Sequence, residues 1–266
     1  MCLLVLAWKV HPRYRLIVAA NRDEFHERPA APLARWPDTA DILGGRDLRA
    51  GGAWLALDAA RRFGIVTNFR DLQRSPLDAP SRGALIPGYL GGSTSAESFL
   101  AGLAAAAQRY AGFNLLITDA SGLWYACNRA AAFARTLSPG VYGLSNHFLD
   151  TPWPKLTRVR SRFEAWLAAP APGLEELLAM LADREPAGAG AEPIAADLAP
   201  EWERVLSAPF VLDPRYGTRS TTLALIEASG AALILERRFD AAGAVSGETE
   251  LKLNAGEWNP GPRGPL

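Results

Sequence analysis

Two apolar runs at the start of the chain, Cys2 to Trp8 and Tyr14 to Ala20, are separated by only five residues. Neither run alternates. A segment apolar at every position reads as a strand buried on both faces. With His11-Pro12-Arg13 as the turn, the two runs predict an antiparallel hairpin. Such a hairpin needs cover on both sides.

The rest of the sequence supplies that cover. Residues 21–41 are polar and proline-bearing and read as a loop. Ala53 to Asp58 and Arg62 to Asn68 predict a second strand pair, and residues 71–82 another loop. Helices are expected over 82–91 and 95–109, the second capped by Thr94 or Ser95. Phe113 to Thr118 and Leu123 to Cys127 predict a hairpin across Asp119-Ala120-Ser121-Gly122. A strand is expected at 140–144, with helices at 154–168, 173–183 and 199–206. The stretch 186–197, rich in Pro, Ala and Gly, reads as a connector. Strands at 220–228, 231–239 and 248–254 end the pattern. Strand pairs at both ends enclose helical segments, and the alternating pattern of a parallel sheet is missing. The expected fold is α+β, two mainly antiparallel sheets face to face with helices outside. Residues 1–258 are expected to form one domain and 259–266 a tail.

Lys+Arg and Asp+Glu balance at 28 each. That balance argues against nucleic acid or an anionic membrane as the main partner. No apolar run reaches the roughly 18 residues of a membrane helix. Two cysteines, Cys2 and Cys127, do not make a disulfide framework, which favours a reducing compartment. The start of the chain lacks a basic n-region, and Lys9, His11 and Arg13 break its apolar run, so the cytoplasm is the expected location. The glycines at 44–52 and 91–92 lack phosphate-loop spacing. No metal site is expected.

Cys2 carries the chemistry. Met1 is removable when the next side chain is small. Removal leaves a thiol and an α-amine on one residue. With a reference pKa of about 7.7–8.0, that amine is partly neutral at physiological pH and can take the thiol proton. An inert buried cysteine is the commoner case. Position two and the charged end of the partner strand, Asn21-Arg22-Asp23-Glu24, make the functional reading competitive with it. A carboxylate there can hold the amine and an arginine the thiolate. Asn68, Asn146 and Arg219 lie at further strand ends, where amides suit an oxyanion and arginine suits a carbonyl or carboxylate.

These segments resemble one family. Asn21-Arg22-Asp23-Glu24 is the motif that names the NRDE family, also called transport-and-Golgi-organisation proteins of the second type. The resemblance extends through Met1-Cys2, Gly44-Gly45-Arg46-Asp47, Gly51-Gly52-Ala53-Trp54, Thr67-Asn68-Phe69-Arg70, Ser81-Arg82-Gly83, Gly112-Phe113-Asn114, Gly143-Leu144-Ser145-Asn146, Leu149 to Lys155 and Tyr216 to Ser220. Ala53 departs from it, where the family usually has Thr. The resemblance implies an N-terminal-nucleophile fold, a four-layer αββα sandwich. It also implies a distant similarity to choloylglycine hydrolases and penicillin V acylases. Against their pattern Cys2, Arg22, Asp23, Asn146 and Arg219 are the counterparts. Those acylases carry an arginine where this chain has Ala20. Arg22 leaves the same strand face as Ala20.

Two functions are therefore weighed. In one, the protein is a cysteine N-terminal-nucleophile hydrolase of a linear amide or thioester. Cys2 attacks, Asp23 orients its amine, Arg22 and Arg219 hold thiolate and substrate, and Asn146 with Asn68 stabilises the oxyanion. Asn21, Trp54, Asn68, Phe69 and His147 are the expected substrate-binding residues. In the other, the scaffold carries acyl-CoA, lipid or haem without turnover. No cofactor is required in either, and haem enters only as a transported ligand. A purely structural or interaction protein is the third, blander option.

Overall fold

The computed structural model describes residues 2–39, 41–71, 78–170, 173–188 and 198–258. Strands β1 (Cys2–Trp8) and β2 (Tyr14–Phe25) pair antiparallel, with Cys2 opposite Arg22 and Trp8 opposite Leu16. They lie inside a six-stranded sheet with β10 (Gly140–Leu144), β11 (Tyr216–Glu227), β12 (Ala232–Phe239) and β13 (Val245–Leu253), in the order β10-β1-β2-β11-β12-β13. The second sheet runs in chain order. It holds β3 (Ala30–Arg35), β4 (Ile42–Asp47), β5 (Leu55–Asp58), β6 (Phe63–Asn68), β7 (Phe113–Thr118), β8 (Leu123–Cys127) and β9 (Ala134–Leu137).

The unbroken apolar run of β1 is explained by what covers it. Leu4, Leu6 and Trp8 pack with Leu43, Leu57, Phe63 and Leu116 of the other sheet. Leu3, Val5 and Ala7 pack instead with Leu156 and Phe163 of α3 (Pro154–Ala168) and Leu177 and Leu181 of α4 (Leu174–Leu181). On the far side of the second sheet, Ile42, Val66 and Ile117 pack under Leu85 and Ile86 of α1 (Leu85–Leu90) and Leu100 of α2 (Ala96–Ala104). The layers are therefore α, β, β, α. A short α5 (Pro200–Leu206) precedes β11.

Several boundaries differ from the sequence reading. Residues 21–25, expected in a loop, extend β2, because the Asn21 and Asp23 side chains find partners across the sheet and in the helix layer. Ala30–Arg35, Ile42–Asp47 and Ala134–Leu137 are strands that the sequence did not announce. The expected helix over 82–91 is a 3-10 turn, Arg82–Ala84, followed by α1. The expected helix at 95–109 ends as α2 at Ala104, capped by the Ser95 hydroxyl, and a 3-10 turn follows at Ala107–Arg109. The proposed tail, 259–266, and much of the 186–197 connector lie outside the described residues. No helix among the described residues is long and apolar enough to cross a membrane.

Candidate active site

Alternation along β1 and β2 sorts the expected site residues onto two faces. Cys2, Ala20 and Arg22 line a cavity between the sheets, with Leu4, Trp54, Leu55, Thr67 and Thr222. The cavity measures about 10 Å³, close to the room a single water needs. Arg22 is only 7% exposed. Its guanidinium stacks 4.5 Å from the Trp54 ring and has no hydrogen bond or ion pair to another described residue. Trp54 is itself backed by Gly45. A Cβ there would come within 2.3 Å of the indole.

Asn21 and Asp23 leave β2 on the helix side. Asp23 is buried, and its Oδ1 accepts from Thr218 Oγ1 at 2.7 Å. Burial pushes its carboxyl up, while the Lys155 ammonium, the Thr218 bond and Arg22 act the other way. Asn21 was expected to bind substrate. Its Nδ2 instead donates to Leu181 O at 2.8 Å and Pro209 O at 3.0 Å, and its Oδ1 accepts from Thr221 Oγ1 at 2.6 Å. Asn21 touches the cavity, but its amide is used inside the protein and fastens β2 to the helix layer.

The Cys2 nitrogen is held by Asn146. The Cys2 N–H donates to Asn146 Oδ1 at 3.0 Å, and Asn146 Nδ2 donates to Asn68 O at 2.9 Å. The Ser145 hydroxyl donates to Cys2 O at 3.2 Å, and the Asn146 carbonyl accepts from Arg70 N at 2.7 Å. Asn146 has φ of 57°, a left-handed conformation that asparagine tolerates better than most residues. The donation expected from Asn146 to an oxyanion is left to the one amide hydrogen not given to Asn68 O. Its oxygen faces the Cys2 nitrogen and its NH2 group faces a carbonyl. Asn68 contributes that carbonyl oxygen.

Burial pushes the Cys2 thiol up, and the Asp23 carboxylate adds to this, while the Asp23 backbone N–H and the Arg22 charge oppose it. Arg219 lies at a bulge in β11, between Thr218 opposite Asp23 and Ser220 opposite Arg22. It is adjacent to the site, yet its Nη1 donates to His26 O at 2.8 Å. Its Nε is buried without a hydrogen-bond partner among the described residues. Phe69 and His147 stack 5.0 Å apart, with Phe148 against both.

None of the three histidines is presented to the cavity as a ligand. His11 Nδ1 accepts from Arg13 N and Tyr14 N, His26 Nε2 lies 3.0 Å from Asp213 O, and His147 Nδ1 lies 3.0 Å from Thr151 Oγ1. Among the described residues, no group of three or more His, Cys, Asp or Glu could hold a metal ion.

The family model for transport and Golgi organisation 2 matches residues 1–241. The chain belongs to this family. It is 33% identical over 257 residues to the Transport and Golgi organization 2 homolog of Mus musculus, covering 89% of this chain and 92% of that protein. Identity to the Homo sapiens homolog is 32% over 256 residues, with the same coverage of 89% and 92%. The Drosophila melanogaster Transport and Golgi organization protein 2 is 26% identical over 282 residues, covering 97% of this chain and 96% of that protein. Among solved structures, penicillin V acylase from Agrobacterium tumefaciens superposes with a TM-score of 0.46 at 10% identity, over 97% of this chain and 93% of that one.

Two further charged residues, Lys155 and Arg82, were not singled out as site residues by the sequence reading. Lys155, at the start of α3, is buried and donates to Leu206 O at 2.6 Å. Burial pushes its ammonium down, and the Asp23 carboxylate beside it pushes back. Arg82 donates from Nη1 to Gly112 O at 3.0 Å. The signal that could have found them was their place beside Pro154 and Gly83 in the strings that carry the family resemblance, which the strand-end argument passed over.

Proposed function

We propose that this protein is a cysteine N-terminal-nucleophile hydrolase, acting on a linear amide or thioester once Met1 is removed. The supporting observation is the setting of Cys2. Its nitrogen donates to Asn146 Oδ1, while its side chain shares a cavity with the guanidinium of Arg22, which stacks on Trp54.

A buried thiol with a raised pKa ionises poorly by itself, so a proton acceptor has to sit next to it. The freed α-amine of Cys2 is that acceptor. Its bond to Asn146 uses an N–H and leaves the nitrogen lone pair for the thiol proton. The thiolate adds to the substrate carbonyl, whose oxygen receives the N–H groups of Arg22. The C–N or C–S bond to the leaving group then breaks, and the leaving group takes the proton from the Cys2 ammonium. Water next attacks the acyl thioester, giving its proton to the amine. This releases the acid and restores the thiol. Asp23 stabilises the ammonium from the helix side, with Lys155 moderating its charge.

The test is mass spectrometry of the purified native protein with a p-nitrophenyl ester and a short acyl thioester. The expected result is loss of one methionine from the intact mass, an acyl adduct on Cys2, and no adduct or turnover in Cys2→Ala. Retained Met1, or turnover surviving Cys2→Ala, overturns the reading. Saturable acyl-CoA or haem binding without an adduct would favour a carrier on the same scaffold.

A further inference from the structure

A hydrogen-bond chain of fixed direction crosses the inner face of the second sheet and ends beside Cys2. Ile65 of β6, Leu116 of β7 and Tyr125 of β8 pack between the sheets. Thr67 and Asn114 leave the same strands on the same face. The chain starts at Leu149 N, a group that can only donate, and its hydrogen goes to Tyr125 Oη at 3.2 Å. The Tyr125 hydroxyl then donates to Asn114 Oδ1 at 2.7 Å. This fixes which end of the Asn114 amide faces Thr67, and Asn114 Nδ2 donates to Thr67 Oγ1 at 3.4 Å. Thr67 is therefore the acceptor toward Asn114, and its own hydrogen points elsewhere. No described residue takes that hydrogen. The cavity beside Cys2, which Thr67 lines, lies in its reach.

The first sheet supplies a second hydroxyl. Thr222 of β11 stands opposite Ala20 of β2 and lines the same cavity. Thr222 is buried and makes no side-chain hydrogen bond to a described residue. Glu236, its neighbour on β12, gives Oε1 to Leu33 N instead. Ser220 Oγ, on the same face of β11, is sealed in without a partner, whereas Thr222 borders open space. Trp54 closes a third side. It is held there because Gly52 crosses over Gly83, with Ala53 N donating to Gly83 O at 3.0 Å. Two hydroxyls on opposite walls of a space with room for one water give that water the partners it needs.

We propose that Thr67 and Thr222 hold one water behind the Cys2 sulfur, and that this water hydrolyses the Cys2 acyl thioester. The inference rests on Cys2 being the nucleophile. An acyl group is far larger than the cavity, so it leaves the sulfur on the other side, where Cys2 is partly exposed. The water meets the acyl carbon from the cavity. Its oxygen forms the new C–O bond, and one proton passes to the Cys2 amine. The C–S bond breaks, and the sulfur takes the proton back from the ammonium. The amine is at hand, because Asn146, which accepts from the Cys2 nitrogen, donates to the carbonyl of Asn68, the residue after Thr67.

Burst kinetics with p-nitrophenyl acetate separate this step from the formation of the acyl-enzyme. The initial burst of p-nitrophenolate reports acylation of Cys2, and the steady rate that follows reports hydrolysis of the thioester. Thr67→Val and Thr222→Val keep the branched shape and remove the hydroxyl. Each should leave the burst within about twofold of wild type and slow the steady rate about tenfold, the scale of one lost hydrogen bond. The Cys2 acyl adduct should then persist in intact-mass spectra. Thr67→Ser should recover the steady rate. A steady rate unchanged in both valine variants, or a burst that falls together with it, overturns the water site. No burst in the wild type overturns the nucleophile itself, and this inference with it. Should Thr67→Val fail to fold, Thr222→Val, which breaks no bond within the protein, still decides. A crystal structure of the wild type should show one ordered water within about 3.2 Å of both hydroxyls. A cavity without that water, or a water that touches neither hydroxyl, overturns the site independently of turnover.

Discussion

Asn146 does three things at one position. It adopts a left-handed backbone, accepts from the Cys2 nitrogen, and donates to Asn68 O. Substitutions separate them. Glycine adopts positive φ at no steric cost, whereas alanine at φ of 57° adds about 1–2 kcal/mol of strain. Asn146→Gly should therefore stay within about 1 kcal/mol of wild type in urea unfolding, and Asn146→Ala should lose about 2–3 kcal/mol. Both should lose most of their acyl transfer to Cys2, because neither can hold the nitrogen. Full activity in Asn146→Gly would show that the amide is dispensable. The sequence showed an asparagine after a strand beside a histidine, and strand-end logic gave it a donor role. Which end of an amide faces a backbone nitrogen 144 residues away is settled only by tertiary placement.

At the scale of elements, β2 and the Gly52–Gly83 crossing explain how the site is held. β2 was legible as far as Ala20, where apolar side chains carry the strand signal. Beyond it the polar residues resemble a loop, since strand propensity measures fit to a half-buried surface. They remain in the sheet because Asn21 and Asp23 are satisfied by Thr221 and Thr218 on β11. Those partners lie about two hundred residues away and no local pattern predicts them. The hairpin at residues 113–127 was legible because its turn and its pairing are both local. The glycine crossing makes an asymmetric prediction. A Cβ on Gly52 strikes Gly83 backbone at 2.4 Å, whereas one on Gly83 meets nothing nearer than 3.4 Å. Gly52→Ala should cost about 1–3 kcal/mol, as overpacking does, and Gly83→Ala well under 1 kcal/mol. Thermal unfolding of the two variants checks this. Equal losses would mean that the crossing is not the constraint described.

At the scale of the whole molecule, the two-sheet sandwich followed from apolar runs that need cover on both faces, while the order of strands did not. β10 lies beside β1 across more than a hundred residues, and a pairing that distant leaves no periodic trace in sequence. The sandwich is also joined across its core by a charge that the sequence hid within a strand. Glu236 on β12 is 2% exposed, and its Oε1 accepts from Leu33 N of β3 at 2.9 Å, linking one sheet to the other. Burial pushes its carboxyl up, against the pull of the Leu33 bond and of Arg238, which lies 3.6 Å away. An acid whose folded pKa exceeds its unfolded value, about 4.3 for Glu, binds its proton more tightly when folded. Its contribution to stability is then fully present below pH about 4.3 and is lost as pH rises through the folded value. Glutamine keeps the oxygen for Leu33 N and removes the charge. Glu236→Gln should therefore raise the unfolding midpoint at pH 8, by about 2–4 °C for a relief on the order of 1 kcal/mol. The gain should shrink as pH falls and vanish near pH 4. A gain that is absent at pH 8, or that grows toward acid, would mean that Glu236 is held ionised by Arg238 and contributes stability as an ion pair.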